Sequence, residues 1–310
     1  TFWRVRKSYP AARRLKRKMN MTYTMTINGA AVGGAEQFDI INPATGAVFT
    51  QAPDCTKAEL DAAIEAAQSA QSAWQAMPIG DRKNLILAFA GKIAEQGEQL
   101  ARLLTSEQGK PHEDAMADVM GGAYWLAETA KLDLPVEISE DSDERKATTR
   151  HEPIGVVAGL VPWNFPIILA MFKVAPALLA GNTMVLKPAP TTPLTTLKIG
   201  ELAREVFPAG VLNVVSGSDR LGPWLTAHDG IDKVSFTGST QTGRKVMESA
   251  AGSLKQITLE LGGNDAAIVM PDVNIEEVAA NLFWAAFKNA GQICIATKRM
   301  YIHKDIYEPL

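Results

Sequence analysis

The sequence has 310 residues, which is room for one large domain or two ordinary ones. Hydrophobic residues make up 46% of it and charged residues 21%, and this composition excludes a disordered chain, a collagen-like fibre and a small disulfide-stapled protein. Residues 1–35 carry eight Lys or Arg residues and no acidic one, so residues 36–310 hold 23 basic against 34 acidic residues, a net charge of −11. An acidic body argues against nucleic-acid binding, which needs a basic face.

The basic start of the chain, residues 1–25, has three interpretations. It resembles a mitochondrial transit peptide, or it is an arm for nucleic acid or membranes, or it is upstream sequence that precedes a translation start at Met19, Met21 or Met25. We favour the upstream interpretation, because the chain begins with Thr1 rather than Met, and we expect no stable structure in this segment. The two cysteines are too few for a disulfide framework and indicate a reducing compartment.

The longest uncharged run, from Pro153 to Phe172, is long enough for a transmembrane helix. Pro162, Asn164 and Pro166 interrupt it, and in a spanning helix they would leave polar groups in lipid. A buried strand, a turn and the start of a helix explain the run better. We therefore predict no membrane partner.

The first half of the chain is predicted to form short strands and then helices. Turn signals punctuate residues 26–55, and helical periodicity follows over about 57–77 and in two further segments, the later of which stops at Gly109. A fourth helix is predicted to end at about residue 131. Residues 134–151 fall into short polar pieces, which predicts an exposed hairpin.

From Gly155 onward, apolar β-rich runs alternate with helical segments. The predicted strands are Val156–Val161, Thr183–Leu186, Val211–Val215, Lys233–Thr237, Ile257–Leu261, Ala266–Met270 and Arg299–His303. The predicted helices lie at about 166–180, 193–206, 219–227, 240–250 and 274–289. Continuous apolar strands that alternate with helices are typical of an α/β fold with a doubly wound parallel sheet.

A candidate phosphate site lies in the turn from Phe236 to Thr240. The usual fingerprints are absent, since no G-x-G-x-x-G follows a strand and Gly238–Lys245 departs from the P-loop pattern. The turn nevertheless follows a predicted strand and opens a predicted helix, whose exposed N–H groups and dipole suit a phosphate. An ordinary strand-to-helix turn with Ser and Thr caps is the alternative.

Three further polar residues are candidates for catalysis. Cys294 lies outside regular structure, where a Cys can be a nucleophile, although a single Cys is more often a small buried hydrophobe. Glu260 lies in an apolar strand, so we expect its carboxylate to be paired, hydrogen-bonded or protonated, either for acid–base chemistry or in a structural ion pair. Asn164, between aromatic rings, is a turn former or an oxyanion donor. The four histidines show no metal-ligand spacing, and we predict no metal site.

Taken in order, several blocks of the sequence resemble the aldehyde dehydrogenase superfamily. The blocks are Asn42-Pro43-Ala44-Thr45-Gly46, Pro162-Trp163-Asn164-Phe165-Pro166, Pro176-Ala177-Leu178 with Gly181-Asn182, Val185-Leu186-Lys187-Pro188, Phe236-Thr237-Gly238-Ser239, Leu259-Glu260-Leu261-Gly262-Gly263 and Gly291-Gln292-Ile293-Cys294. The step of 34 residues from Glu260 to Cys294 also fits the family. The resemblance covers about residues 26–310.

The resemblance implies a domain organisation. It implies a Rossmann-like dinucleotide-binding domain over residues 26–262, with the hairpin at 134–151 in the oligomerisation region, and the start of a second, α/β catalytic domain over residues 263–310. The chain would be the N-terminal portion of the family chain, and the full-length protein a homodimer or homotetramer. The resemblance also implies a cytoplasmic location, or a mitochondrial one if the basic segment is a transit peptide.

The resemblance also implies the chemistry, which is oxidation of a small aldehyde to a carboxylic acid with hydride transfer to NAD or NADP. Cys294 would be the nucleophile, and Asn164 and the Cys294 backbone N–H would hold the oxyanion. Glu260 would activate the water that hydrolyses the thioester, and Lys173 is a candidate proton relay near Asn164. The residues implied for the cofactor cleft are Trp163, Lys187, Gly217, Phe236, Gly238, Ser239 and Leu261.

Three departures from the family pattern qualify these expectations. Many NAD-preferring members have a Glu shortly after the lysine, and Lys187-Pro188-Ala189-Pro190 has none. We still expect NAD rather than NADP, because no further basic residue flanks Lys187 to bind a 2′-phosphate. Ile295, next to the nucleophile, indicates an apolar substrate wall. The family's later Glu-x-Phe-Gly-Pro block and most of the catalytic domain are missing from the sequence.

Two alternative functions remain open. A dehydrogenase that passes its thioester to CoA is disfavoured by Glu260, since such members generally lack the hydrolytic base. A truncated, non-catalytic relative that binds a dinucleotide is disfavoured by the intact set of Asn164, Glu260 and Cys294.

Overall fold

The computed structural model describes residues 22–310. Residues 1–21 of the predicted leader lie outside the described residues, and residues 22–25 correct the predicted boundary. Tyr23 is 5% exposed and Met25 is completely buried, and both belong to the main hydrophobic core. The folded body therefore begins before residue 26, because two large apolar side chains of the supposed leader pack inside it.

Four short strands precede four helices, as predicted. The strands are β1 (Met25–Ile27), β2 (Ala30–Val32), β3 (Gln37–Asn42) and β4 (Ala47–Pro53), and the helices are α1 (Lys57–Ala76), α2 (Ile79–Glu95), α3 (Gly97–Gln108) and α4 (His112–Thr129). A capping box starts α1, since the Thr56 hydroxyl accepts from the Glu59 N–H and the Glu59 carboxylate accepts from the Thr56 N–H. Gly109, with a left-handed φ of 92°, ends α3 at the predicted stop.

The predicted exposed hairpin is confirmed. It consists of β5 (Glu137–Asp141) and β6 (Lys146–Thr149), which pair antiparallel, and most of its residues are exposed. Its place in an oligomer interface stays a prediction.

The alternating part of the chain also has the predicted elements. Its strands are β7 (Val156–Leu160), β8 (Thr183–Lys187), β9 (Leu212–Val214), β10 (Lys233–Thr237), β11 (Gln256–Glu260), β12 (Asp265–Val269) and β13 (Thr297–Ile302). Its helices are α5 (Pro166–Leu179), α6 (Leu194–Ala203), α7 (Leu221–Ala227), α8 (Thr240–Ala251) and α9 (Ile275–Phe287).

The main sheet has seven strands in the order β11-β10-β7-β8-β9-β1-β2. The first five are parallel, and counted along the chain from β7 their spatial order is 3-2-1-4-5, the order of the Rossmann fold. The predicted doubly wound sheet is therefore confirmed. The antiparallel pair β1–β2 extends one edge through a two-residue turn, in which Asn28 and Gly29 both have positive φ (50° and 72°).

The core lies between the central strands and the surrounding helices. Every residue of β7 and β8 is buried, as expected for parallel strands that are covered on both faces. Trp74 of α1 is 1% exposed, and its indole N–H donates to the Leu178 carbonyl of α5 at 3.1 Å. This bond satisfies the one polar atom of a large buried side chain and ties α1 to α5.

After β11 the chain leaves the main sheet. Strands β12 and β13 form a separate two-stranded parallel sheet, and α9, which connects them, has no buried residue. Phe283, Trp284 and Phe287 of α9 are 54%, 63% and 58% exposed, and the Phe283 ring packs against the other two. The change of sheet coincides with the predicted boundary at 262/263, whose assignment to two domains stays a prediction.

Across residues 22–310, no helix combines the length and the apolar character that crossing a bilayer requires.

Candidate active site

A cleft of about 860 Å³ opens at the carboxyl ends of the parallel strands. Residues at or just after the ends of β7, β8, β10 and β11 line it, including Trp163, Lys187, Ser239 and Leu261. Strand order reverses between β7 and β10, since the chain moves outward from β7 to β9 and then returns to the other side of β7. Open α/β sheets bind their ligands at such a switch point, so the topology and the cleft coincide.

Most of the predicted site residues line this cleft. They are Trp163, Asn164, Lys187, Phe236, Gly238, Ser239, Leu261 and Cys294. Gly217, Lys173 and Glu260 do not line it. Gly217 is buried, and an added Cβ there would lie 2.8 Å from Leu221 Cδ2 and 3.1 Å from Asp54 Oδ1. Close packing therefore accounts for the glycine, and its part in cofactor binding stays a prediction.

Cys294 lies on a loop between α9 and β13. The chain reverses there through three left-handed residues, Asn289, Ala290 and Gly291, with φ of 52°, 56° and 74°. Such a conformation is strained for Ala290, which has a Cβ. Cys294 then sits in a turn closed by the Ala296 N–H, which donates to the Ile293 carbonyl at 3.2 Å. The Cys294 side chain is exposed, unlike the small buried hydrophobe that was the alternative for a single Cys.

Asn164 connects the first of the parallel strands to this loop. It follows β7, and its Nδ2 donates to the Gln292 carbonyl at 2.8 Å, while its Oδ1 accepts from the Phe165 N–H at 3.0 Å. A side-chain amide has two N–H donors. Among residues 22–310 only one of the two has a partner, so Asn164 holds the cysteine loop and keeps a donor free.

A buried ion pair supports the segment that carries Asn164. The Lys110 ammonium donates to the Asp118 carboxylate at 2.9 Å, and neither side chain is exposed. Asp118 also accepts from the Ile168 N–H in the first turn of α5 at 2.8 Å. The same ammonium lies 3.9 Å from the centre of the Phe165 ring. The pair thereby fixes both the start of α5 and the residue next to Asn164.

Lys173 lies beneath the site rather than in it. Its ammonium is buried and donates to Thr237 Oγ1 at 2.8 Å and Ser235 Oγ at 3.2 Å, on β10. Burial lowers the pKa of Lys173 to about 8, and the Glu260 carboxylate opposes that shift. A lysine with such a pKa can exchange a proton near neutral pH.

Glu260 corrects one prediction. It ends β11, which is the edge strand of the main sheet, and its side chain is exposed rather than paired or enclosed in an apolar strand. Burial alternates along β11, with Gln256, Thr258 and Glu260 exposed, because nothing in the described chain covers that face. The backbone does bring Glu260 to the site, since its carbonyl accepts from the Gly238 N–H at 3.0 Å.

A buried lysine also lines the cleft. Lys187 ends β8, and its ammonium donates to the Pro188 carbonyl at 3.1 Å. Burial lowers the pKa of Lys187 to about 8, and the carboxylates of Asp219 and Asp54 oppose the shift. Asp219 lines the same cleft. An ammonium that faces the cleft from a buried position suits the hydroxyls of a sugar.

A buried carboxylate holds the chain that follows Lys187. Glu107 of α3 accepts from the Leu194 and Thr195 N–H groups at the start of α6, at 2.7 and 2.9 Å. Glu107 therefore caps the N-terminus of α6 from a different helix, by accepting from the N–H groups that an N-cap side chain would otherwise bind. Burial raises the pKa of Glu107 to about 7, while its hydrogen bonds to Thr195 and Leu194 lower it.

The start of α8 forms the middle of the cleft. Ser239 is its N-cap, and its hydroxyl accepts from the Thr242 N–H at 3.2 Å. An added Cβ at Gly238 would lie 2.5 Å from the Phe236 ring, so only glycine fits there. Gly238, Ser239 and Thr242 line the cleft at this helix start, and the N-terminus of a helix is the kind of site that binds phosphates.

The sequence reasoning missed two basic residues that bind the loops of the site. Lys298 donates to three carbonyls of the cysteine loop, and Arg299 donates to the Asn264 carbonyl at 2.7 and 2.9 Å. An added Cβ at Gly263 would lie 3.4 Å from the Cys294 carbonyl, so the segment after β11 contacts the cysteine loop directly. Only the closeness of both basic residues to Cys294 in the sequence could have indicated them.

Within residues 22–310, no group of three or more His, Cys, Asp or Glu side chains could hold a metal ion.

Comparison with known proteins places the chain in a family. Residues 31–310 match the model of the aldehyde dehydrogenase family. The chain is 42% identical over 287 residues to a putative aldehyde dehydrogenase, FUS7, of Gibberella fujikuroi, and the match covers 93% of this chain and 62% of that protein. It is 41% identical over 306 residues to a phenylacetaldehyde dehydrogenase of Pseudomonas fluorescens, with coverage of 94% and 61%.

A solved structure agrees. The crystal structure of PnpE in complex with nicotinamide adenine dinucleotide superposes with a TM-score of 0.88 at 39% identity, over 93% of this chain and 61% of that one. The chain spans about three fifths of the length of these relatives. With a family match over nearly all of the described residues, the chain belongs to the aldehyde dehydrogenase family.

Proposed function

We propose that the protein of which this chain is part oxidises an aldehyde to a carboxylic acid with a nicotinamide dinucleotide. One observation carries the proposal: Cys294, Asn164 and Lys187 line a single cleft at the switch point of a Rossmann-type sheet. The family membership and the NAD complex of PnpE support it.

The residues of the cleft fit a dinucleotide. Its volume of about 860 Å³ lies within the usual range for ligand pockets. We propose that Lys187 binds the adenine ribose, that Ser239 and the first N–H groups of α8 bind the pyrophosphate, and that Trp163 and Phe236 line the walls. When bound, the nicotinamide supplies the hydride acceptor. We propose NAD rather than NADP, because Pro188, Ala189 and Pro190 give no basic partner for a 2′-phosphate.

The first half of the reaction is acylation of Cys294. Its thiolate attacks the aldehyde carbon, a C–S bond forms, and the carbonyl oxygen takes the negative charge. The free N–H of Asn164 and the backbone N–H of Cys294 are the proposed donors to that oxyanion. One such donor contributes roughly 10²–10³ in rate. Loss of hydride then leaves a thioester on Cys294.

The second half is hydrolysis of the thioester. Glu260 accepts a proton from water, the water oxygen attacks the thioester carbon, and the acid leaves as the Cys294 thiolate is restored. Glu260 stands at the edge of the sheet on the strand that leads to Gly263, which contacts the cysteine loop. We propose that Lys173, buried next to Glu260, exchanges protons with it through Thr237.

The substrate is proposed to be an aldehyde with an apolar side chain. Ile295, next to the nucleophile, is 73% exposed and presents an apolar surface beside Cys294. The phenylacetaldehyde dehydrogenase of Pseudomonas fluorescens acts, by its name, on an aldehyde of this kind.

The test uses the full-length protein, phenylacetaldehyde, and NAD or NADP, with reduced cofactor as the readout. We expect oxidation without added CoA, faster with NAD, and loss of activity in Cys294→Ser. Cys55→Ser is the matched control and should keep its activity, because Cys55 is buried away from the cleft. Full activity of Cys294→Ser would refute the mechanism, and a requirement for CoA would identify a CoA-acylating enzyme.

Glu260→Gln tests the second step separately. It should leave a burst of reduced cofactor equal to one turnover and then slow the steady state, because acylation precedes the task of Glu260. Equal loss of burst and steady state would contradict the role of Glu260 as the hydrolytic base.

A further inference from the structure

The loop that carries Cys294 is held by a lysine that lies outside the cleft. The Lys298 ammonium donates to the carbonyls of Ile293, Cys294 and Ala296 at 3.3, 2.9 and 2.7 Å. An ammonium has three donors, and here all three are directed at one turn of the backbone. Lys298 does not line the cleft, whereas Ile293 and Cys294 do, so it binds the turn from behind.

Holding these carbonyls fixes the direction of one N–H group. The peptide between Ile293 and Cys294 is trans and planar, so its N–H points opposite to its carbonyl. The Ile293 carbonyl is bound by Lys298 and also by the Ala296 N–H. The Cys294 N–H is therefore directed away from Lys298. It has no hydrogen-bond partner among residues 22–310, which leaves it available to a bound oxygen.

Other contacts fix the loop from the cleft side. Asn164 donates to the Gln292 carbonyl at 2.8 Å. Gln292 comes just before the turn in the sequence, whereas Lys298 comes just after it. The two proposed oxyanion donors are thus held by different partners. Asn164 supplies its own amide, and the backbone N–H depends on the turn that Lys298 stabilises. Few apolar contacts help, because Cys294 and Ile295 are both exposed.

We propose that Lys298 is a positioning residue for the oxyanion site, which orients the Cys294 N–H by binding three carbonyls of the turn. This inference rests on the proposed function, since it concerns the oxyanion formed when Cys294 attacks an aldehyde. It predicts that loss of the ammonium weakens reactions that create an oxyanion and spares reactions of the thiolate that do not.

The experiment compares two reactions of Cys294 in the full-length protein. Lys298→Met is the test variant, and Lys304→Met, the same change at an exposed lysine six residues later, is the matched control. Aldehyde oxidation forms an oxyanion, whereas alkylation by iodoacetamide displaces iodide and forms none. Both are measured at about pH 9.5, above the ordinary pKa of thiols of about 8.5, so that a changed thiolate fraction does not confuse the comparison.

We expect kcat/KM for the aldehyde to fall about 10- to 100-fold in Lys298→Met. This fall is smaller than the roughly 10²–10³-fold loss of rate that follows deletion of an oxyanion donor, because the Cys294 N–H remains but is no longer held in place. The alkylation rate and the Kd for NAD should stay within about threefold of Lys304→Met. An unchanged kcat/KM would overturn the proposal. An equal fall in both reactions would also overturn it, because it would show general collapse of the loop. Activity in Cys294→Ser would instead refute the proposed function.

Discussion

Substitution of Lys110 by Met should destabilise the fold strongly. Both side chains of the Lys110–Asp118 pair are completely buried. The small contribution of exposed ion pairs to stability, about 0–1 kcal/mol, therefore does not apply to this pair. At 2.9 Å and an effective dielectric constant of about 20, the attraction is about 6 kcal/mol. Its loss leaves the Asp118 charge buried alone. Measured costs of breaking such pairs are about 3–5 kcal/mol.

The assay is the melting temperature of the full-length protein near pH 7.5. At roughly 2 °C per kcal/mol for a large domain, Lys110→Met should melt about 6–10 °C lower. The double variant Lys110→Met with Asp118→Leu should recover part of this, because it removes the unpaired charge and loses only the bonds that Asp118 accepts from the backbone at Ile167 and Ile168. A melting temperature of Lys110→Met within 2 °C of the wild type would refute the reasoning. So would a double variant less stable than Lys110→Met.

Two further predictions concern titratable groups. Substoichiometric iodoacetamide should label Cys294 before Cys55, because Cys294 is exposed, whereas burial and the nearby Glu59 and Asp54 raise the pKa of Cys55 to about 12. Peptide mass spectrometry measures which cysteine is labelled first. Earlier labelling of Cys55 would contradict the prediction. Burial raises the pKa of Glu107 from 4.5 to about 7, so its contribution to stability is full below pH 4.5 and is lost, by about 3 kcal/mol, as the pH rises through 7. The melting temperature of the wild type minus that of Glu107→Gln should therefore fall between pH 5 and 8, and a constant difference would count against the shift.

The parallel sheet was predictable because its central strands, β7 and β8, are continuous apolar runs between helices. The predicted strand Lys233–Thr237 has the same bounds in the structure, and Val156–Val161 and Thr183–Leu186 differ by one residue at one end. Buried parallel strands have no alternation that could be mistaken for a surface strand. The stop at Gly109 was predictable for a different reason, since a left-handed residue after a helix favours glycine.

Glu260 shows what a local pattern leaves open. An apolar sequence around a carboxylate indicates burial only if another layer covers the strand. Strand β11 is the edge of the sheet in the described chain, and its alternate residues face outward. Edge position depends on the order of strands, which is a property of the whole topology. Within β11 itself, the alternation of polar Gln256, Thr258 and Glu260 with Ile257 and Leu259 is typical of a strand with one exposed face, and it was the signal that the prediction of a buried carboxylate left out.

Gly217 and Lys298 show a second limit. Gly217 was expected in the cleft wall, and nothing in the sequence indicated its close packing against Asp54 and Leu221. Lys298 was not predicted at all, although it binds the cysteine loop at three points. In both cases the decisive contact is a matter of ångströms between segments, and spacing along the chain does not determine such distances.

The polar contacts around Cys294 explain how the proposed nucleophile can be both exposed and fixed. A buried cysteine such as Cys55 is held by packing, but its pKa is raised by the same burial. Cys294 has the opposite environment, with little apolar cover, and hydrogen bonds to the backbone of its loop replace packing. Asn164 holds the loop from β7, and Lys298 holds it from β13. Because each bond engages a carbonyl rather than the thiol, the sulfur keeps its freedom to react while the N–H groups beside it stay oriented.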